Sequence, residues 1–166
     1  MAITKETAEK QLDRIMGFFP RVDAKGSFLF ALNTGMLAFL FLNLRPTDLN
    51  AWFLALPAGV AIVTLAASLI NLYRSAYPSL KGGAESLIYF REIAKRTEAK
   101  YIDAFTKQTD AYVRDVMGQV WRNSEILTIK YDAVKLAFTL TAFTLIPWSI
   151  FLSAAAAVHA GGLVLK

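Results

Sequence analysis

The sequence predicts an all-α membrane protein: three transmembrane helices (N-in, C-out), a cytosolic antiparallel helical hairpin and an N-terminal amphipathic helix. Three observations carry this reading. Ser27 to Leu44, Ala51 to Tyr73 and Leu136 to Val158 are uncharged runs of 18, 23 and 23 residues. A helix rises ~1.5 Å per residue, so the longer runs reach roughly 34 Å against a hydrocarbon core of ~30 Å. Lysine and arginine are distributed unevenly about these runs, with five in residues 1–26, eleven in 74–135, one in the turn at 45–50 and one after Val158. That bias places the N-terminus and the long polar segment in the cytosol, and the short turn and the C-terminus outside. Helical periodicity then fills the polar segment.

Residues 1–26 form the first domain, a cytosolic amphipathic helix. Ala8, Leu12, Ile15, Met16 and Phe19 recur at helical spacing, which predicts a helix from Thr4 to Phe18 that Pro20 ends or bends. It lies along the membrane surface or packs on the cytosolic part; the spacing permits either. The lead-in is too long and too acidic for a cleavable signal sequence.

Residues 27–73 are a transmembrane hairpin with spans 27–44 and 51–73. Ala31 and Gly35, and Ala55 and Gly59, have the small-xxx-small spacing that lets helix backbones approach in lipid. Asn33 in the first span and Asn71 near the end of the second are amides that require partners. They point to packing among the three spans, to a homo-oligomer interface or to a polar pore lining.

Residues 74–132 leave the membrane and must return to it, so one continuous helix is excluded. Leu87, Phe90, Ala94, Tyr101, Phe105, Tyr112, Val116, Val120 and Leu127 recur at threes and fours. The prediction is a hairpin with arms near Glu85–Phe105 and Thr109–Asp132 and a bend within 106–110. The second arm runs directly into the third span, 133–158, where Pro147 is tolerable and predicts a kink. Residues 159–166 form an external tail in which His159, the one histidine, is expected to be solvated.

The composition excludes several functions. With no cysteine, disulfides, thiolate metal sites and cysteine catalysis are absent. A mean hydropathy of +0.41 with 19% charged residues suits a membrane domain with a modest polar part. The net charge of +5 does not indicate nucleic-acid binding, because the basic residues flank the spans. No phosphate loop, nucleophile elbow, paired carboxylates or metal-ligand cluster is present, so neither an enzyme nor a metal site is expected. A small anionic ligand is the remaining chemistry. Arg91 and Lys95 lie on one arm, and Trp121, Arg122, Asn123, Ser124, Lys130 and Tyr131 on the other. Arginine clamps phosphate, while aromatics and amides stack on and read a base. Surface charge over a hairpin core explains the same residues without a ligand.

Several of these stretches also carry a resemblance. Asp23-Ala24-Lys25 opens the span that holds Asn33; Ser86-Leu-Ile-Tyr-Phe-Arg91-Glu-Ile93 follows the Gly82-Gly83 pair; Asn123-Ser124 and Lys130-Tyr131 precede the last span. In that order, over about residues 18–145, they resemble the Pycsar effector transmembrane family. The resemblance implies bacterial antiphage defence at the inner membrane. A partner cyclase makes cyclic CMP or cyclic UMP on infection, and the effector responds by impairing the membrane. No cofactor beyond that ligand is implied. The rival readings are a constitutive scaffolding membrane protein and a small ion channel gated by another signal.

Overall fold

A computed structural model describes residues 4–77, 82–107 and 109–161, with backbone alone at 109 and 110. The described residues are helical, without strands: α1 (Lys5–Met16), α2 (Phe19–Asn43), a short 3-10 helix (Pro46–Asn50), α3 (Trp52–Ala76), α4 (Phe90–Ile93), α5 (Glu98–Lys107) and α6 (Thr109–Gly161). The chain divides into two compact units. A polar unit takes Met1–Asp23 and Pro78–Lys130, and a membrane unit takes Ala24–Tyr77 and Tyr131–Lys166. Helices α2 and α6 each contribute to both.

In the polar unit, α1 is capped by Thr4, whose hydroxyl oxygen accepts from the Thr7 amide at 3.2 Å. Ala8 is fully buried. Glu9 accepts the Tyr112 hydroxyl at 2.7 Å, and the Lys5 ammonium lies 5.0 Å from the Tyr112 ring centroid. These contacts pack α1 within its own unit. The break after α1 falls at Gly17 and not at Pro20. Proline is pre-shaped for the first turn of a helix, where its missing N–H costs nothing, and Pro20 is the second residue of α2. Helix α2 therefore starts eight residues before the uncharged run.

The expected first arm, Glu85–Phe105, is not one helix. Residues 85–89 form a turn, α4 is a single helical turn, and 94–97 separate it from α5. The second arm does run without a break into the last span, making α6 a helix of 53 residues that continues through Pro147. Helix α5 ends at Lys107 and α6 begins at Thr109; Gln108, at the centre of the expected bend, lies outside the described residues.

In the membrane unit, Leu40, Leu54, Ala58, Ala61, Phe151 and Ala155 form the buried apolar cluster. A polar layer crosses the three helices beside it. Asn33, fully buried, donates to the Ser68 hydroxyl at 2.7 Å and accepts from Thr141 at 2.9 Å. Ser68 donates in turn to the Ala137 carbonyl at 3.0 Å. Thr144 donates to Thr64 at 2.6 Å, and the Trp148 indole to the Met36 carbonyl at 3.0 Å. Lipid supplies no hydrophobic drive for helix association, so such bonds and close packing fix the register.

The turn between α2 and α3 corrects a second expectation. Asp48 is 1% exposed; one carboxylate oxygen accepts the Arg45 amide at 2.8 Å, and the other lies 3.1 Å from the His159 ring nitrogen. His159 is thus the last-turn partner of a buried carboxylate and not a solvated tail residue. Residues 162–166 of the expected tail lie outside the described set.

Candidate functional site

The polar unit holds a cavity of about 440 Å³ between residues 83–87, which enter the turn, and the face of α6 from Ala111 to Arg122. The turn is shaped by long-range bonds, not by local propensity. One Asp115 carboxylate oxygen accepts the Ser86 hydroxyl at 2.8 Å and the Leu87 amide at 2.7 Å. The Ser86 hydroxyl closes the turn ahead of α4 by accepting the Ile88 and Tyr89 amides, and also accepts from Gln119 at 3.1 Å. Arg96 clamps the turn from its far side, donating to the carbonyls of Glu85 and Ser86. Glu85 has φ of +57°, a left-handed conformation that costs a non-glycine residue energy and persists only where surrounding bonds impose it. The Lys95 ammonium, and then the Glu85 amide, hold the Glu92 carboxyl below its ordinary value.

Arg122 forms the wall of this cavity. A Cβ added at Gly83 would lie 2.5 Å from its Nη2, and one at Gly118 would lie 3.2 Å from its Nη1. The guanidinium is therefore seated between two glycines and would have to shift for either to gain a side chain. Its only acid partner among the described residues is Asp115, at 3.7 Å, outside hydrogen-bond reach. Among the described residues its Nε–H is buried without a hydrogen-bond partner. Asp115 has spent its other oxygen on the turn, so the Arg122 charge is only loosely compensated. Exposed Arg114 also lines the cavity, as do Glu85 and Asp115, and Arg122 is the lining group with a donor free to engage an anion. Its volume lies within the roughly 300–1,000 Å³ usual for small-molecule sites.

Of the ligand-binding candidates named from the sequence, Arg122 alone lines this cavity, beside Gly83, Ser86 and Leu87 of the other stretches singled out there. Arg91 is exposed on α4, and exposed Lys95 pairs with Glu92. Trp121 is 62% exposed, Asn123 is half-buried, and Ser124 donates to its own helix at the Val120 carbonyl. Lys130 pairs with Asp23 at 2.7 Å. In the membrane unit, Lys25 lies 6.0 Å from the Tyr131 ring centroid, and Asn71 donates to the Ala67 carbonyl of its own helix. Gly35 and Gly59 are exposed, and a Cβ at either would meet nothing within 4 Å. Sequence reasoning missed Arg114, Asp115 and Gln119. The visible signals were Gly82-Gly83, just ahead of the turn, and the Ser86–Ile93 stretch, which runs through it into α4.

Three helices long and apolar enough to cross a membrane, together with a polar helical unit, give the architecture of a membrane protein. The family model described as the Pycsar effector protein domain matches residues 7–158, and the chain belongs to that family. It is accordingly a membrane protein and an effector of antiphage defence; the family is not a known enzyme family. No curated protein and no solved structure matches the chain.

Proposed function

We propose that this effector senses a pyrimidine cyclic mononucleotide, cyclic CMP or cyclic UMP from a partner cyclase, in the polar unit and responds by impairing the bacterial inner membrane through self-associated transmembrane helices. In this reading the N-terminus and the polar unit are cytosolic, as the lysine and arginine bias supports. The carrying observation is Arg122, seated between Gly83 and Gly118 with one buried donor unpartnered and its carboxylate partner held off at 3.7 Å. A ligand phosphate engaging Arg122 would draw it from Asp115, the same carboxylate that anchors the 85–89 turn. That gives the ligand a differential hold on two states, which any ligand-driven response requires.

The test is calorimetric titration of the purified full chain with cyclic CMP and cyclic UMP. A charge-assisted contact contributes ~1.5–3 kcal/mol, so Arg122→Ala should weaken binding roughly tenfold or more. Gly83→Ala, which displaces the guanidinium without removing it, should weaken binding with melting close to wild type. Arg91→Ala, outside the cavity lining, should bind as wild type. Absence of binding by the unaltered chain, or equal affinities for the Arg122 and Arg91 variants, would overturn the site and favour a scaffold.

A further inference from the structure

The membrane unit carries a second cavity that the sensing site does not use. It has a volume of about 740 Å³ and lies between α2 and α6. Its walls are mostly apolar: Phe28, Leu29 and Phe138, with Phe28 and Phe138 turned outward at 68% and 63% exposure. Two lysines, Lys25 and Lys135, line the same cavity together with Tyr131. Among the described residues neither lysine is in an ion pair; Lys25 has only the Tyr131 ring.

The position of these lysines in the chain sets their depth. Lys25 is the last charge before the uncharged run beginning at Ser27, and Lys135 is the last before the run beginning at Leu136. Both therefore stand at the level where hydrocarbon gives way to headgroups, the depth favoured by interfacial tyrosine and lysine. The groove joins them to an apolar surface that runs toward the hydrocarbon.

We infer that this groove is a site for an anionic phospholipid, its phosphate between Lys25 and Lys135 and an acyl chain against Phe28, Leu29 and Phe138. Two cations without an ion pair at headgroup depth favour an anionic phosphate over a neutral headgroup, and basic recesses between spans are a recurrent lipid-headgroup site. A soluble phosphate would use the lysines but leave the aromatic wall bare. A second protein helix would bury both ammonium groups without a counter-charge, which is costly. Bound there, the lipid would tie α2 to α6 at the point where each enters the membrane.

Native mass spectrometry of the full chain in mild detergent, with phosphatidylglycerol, phosphatidylcholine and glycerol phosphate as probes, decides the matter. Phosphatidylglycerol should be retained in preference to phosphatidylcholine, and glycerol phosphate should not displace it. Lys25→Gln with Lys135→Gln should lower phosphatidylglycerol retention about thirtyfold, on the scale expected for two lysines near an anionic surface. Arg45→Gln with Lys100→Gln removes the same charge away from the groove and should leave retention as in wild type. Equal retention of the two lipids would overturn the site, as would displacement by glycerol phosphate or an equal loss in the control pair.

Discussion

At the scale of single residues, Tyr112 shows how the polar unit holds its first helix. The hydroxyl comes from α6 and donates to Glu9 of α1. Burial first, and then this bond, push the tyrosine up from 10 to about 12. The sign follows directly. Below pH 10 the tyrosine is protonated in folded and unfolded chains alike, and its contribution is intact. Between pH 10 and about 12 the unfolded chain loses the proton first, so stability falls as pH rises through that window. Tyr112→Phe should cost about 1 kcal/mol at neutral pH through the lost bond, and should flatten the alkaline decline. Melting of the purified protein and the variant on either side of pH 10 checks this; parallel declines would remove Tyr112 from the account.

At the scale of elements, the spans were legible because lipid imposes a rule that reads locally, twenty or so residues without charge. What eluded the sequence depends on partners distant in the chain. The 85–89 turn keeps helical spacing on paper, yet Asp115, 28 residues beyond Leu87, takes its amide and prevents a helix there. His159 looked like a tail residue because its partner Asp48 is 111 positions away. Arg122 was visible as a cation, but its seat between Gly83 and Gly118 depends on how the turn folds over α6. The polar layer between spans is of the same kind: Asn33 announces that partners are needed, but not that they are Ser68 and Thr141. Ser68→Ala removes the acceptor of the Asn33 amide and the donor to Ala137, and should lower stability by about 1 kcal/mol in detergent melting. Outward-facing Ser149→Ala should stay within about 0.5 kcal/mol of wild type. Equal effects would mean that the layer does not fix the register.

At the scale of the whole molecule, the outstanding relation is between one chain and the next. Within a single chain the three spans close on buried Ala58 and Ala61, on the Asn33–Ser68–Thr141 layer and on the Asp48–His159 pair. The small-residue spacings Ala31/Gly35 and Ala55/Gly59 are spared from that task, because Gly35 and Gly59 face outward with nothing within 4 Å of an added Cβ. Outward-facing glycines are weak helix formers and bury nothing within the chain, and the self-association proposed above would use them to let another helix approach closely. Gly35→Leu and Gly59→Leu are informative for this reason: leucine has room at both positions and should leave single-chain melting intact. If chains associate through these faces, either variant should shift the native mass of the detergent-solubilised protein toward a single chain, by holding neighbouring backbones apart. An unchanged native mass in both, with melting also unchanged, would assign every close helix contact to the single chain and leave membrane impairment without an assembled form.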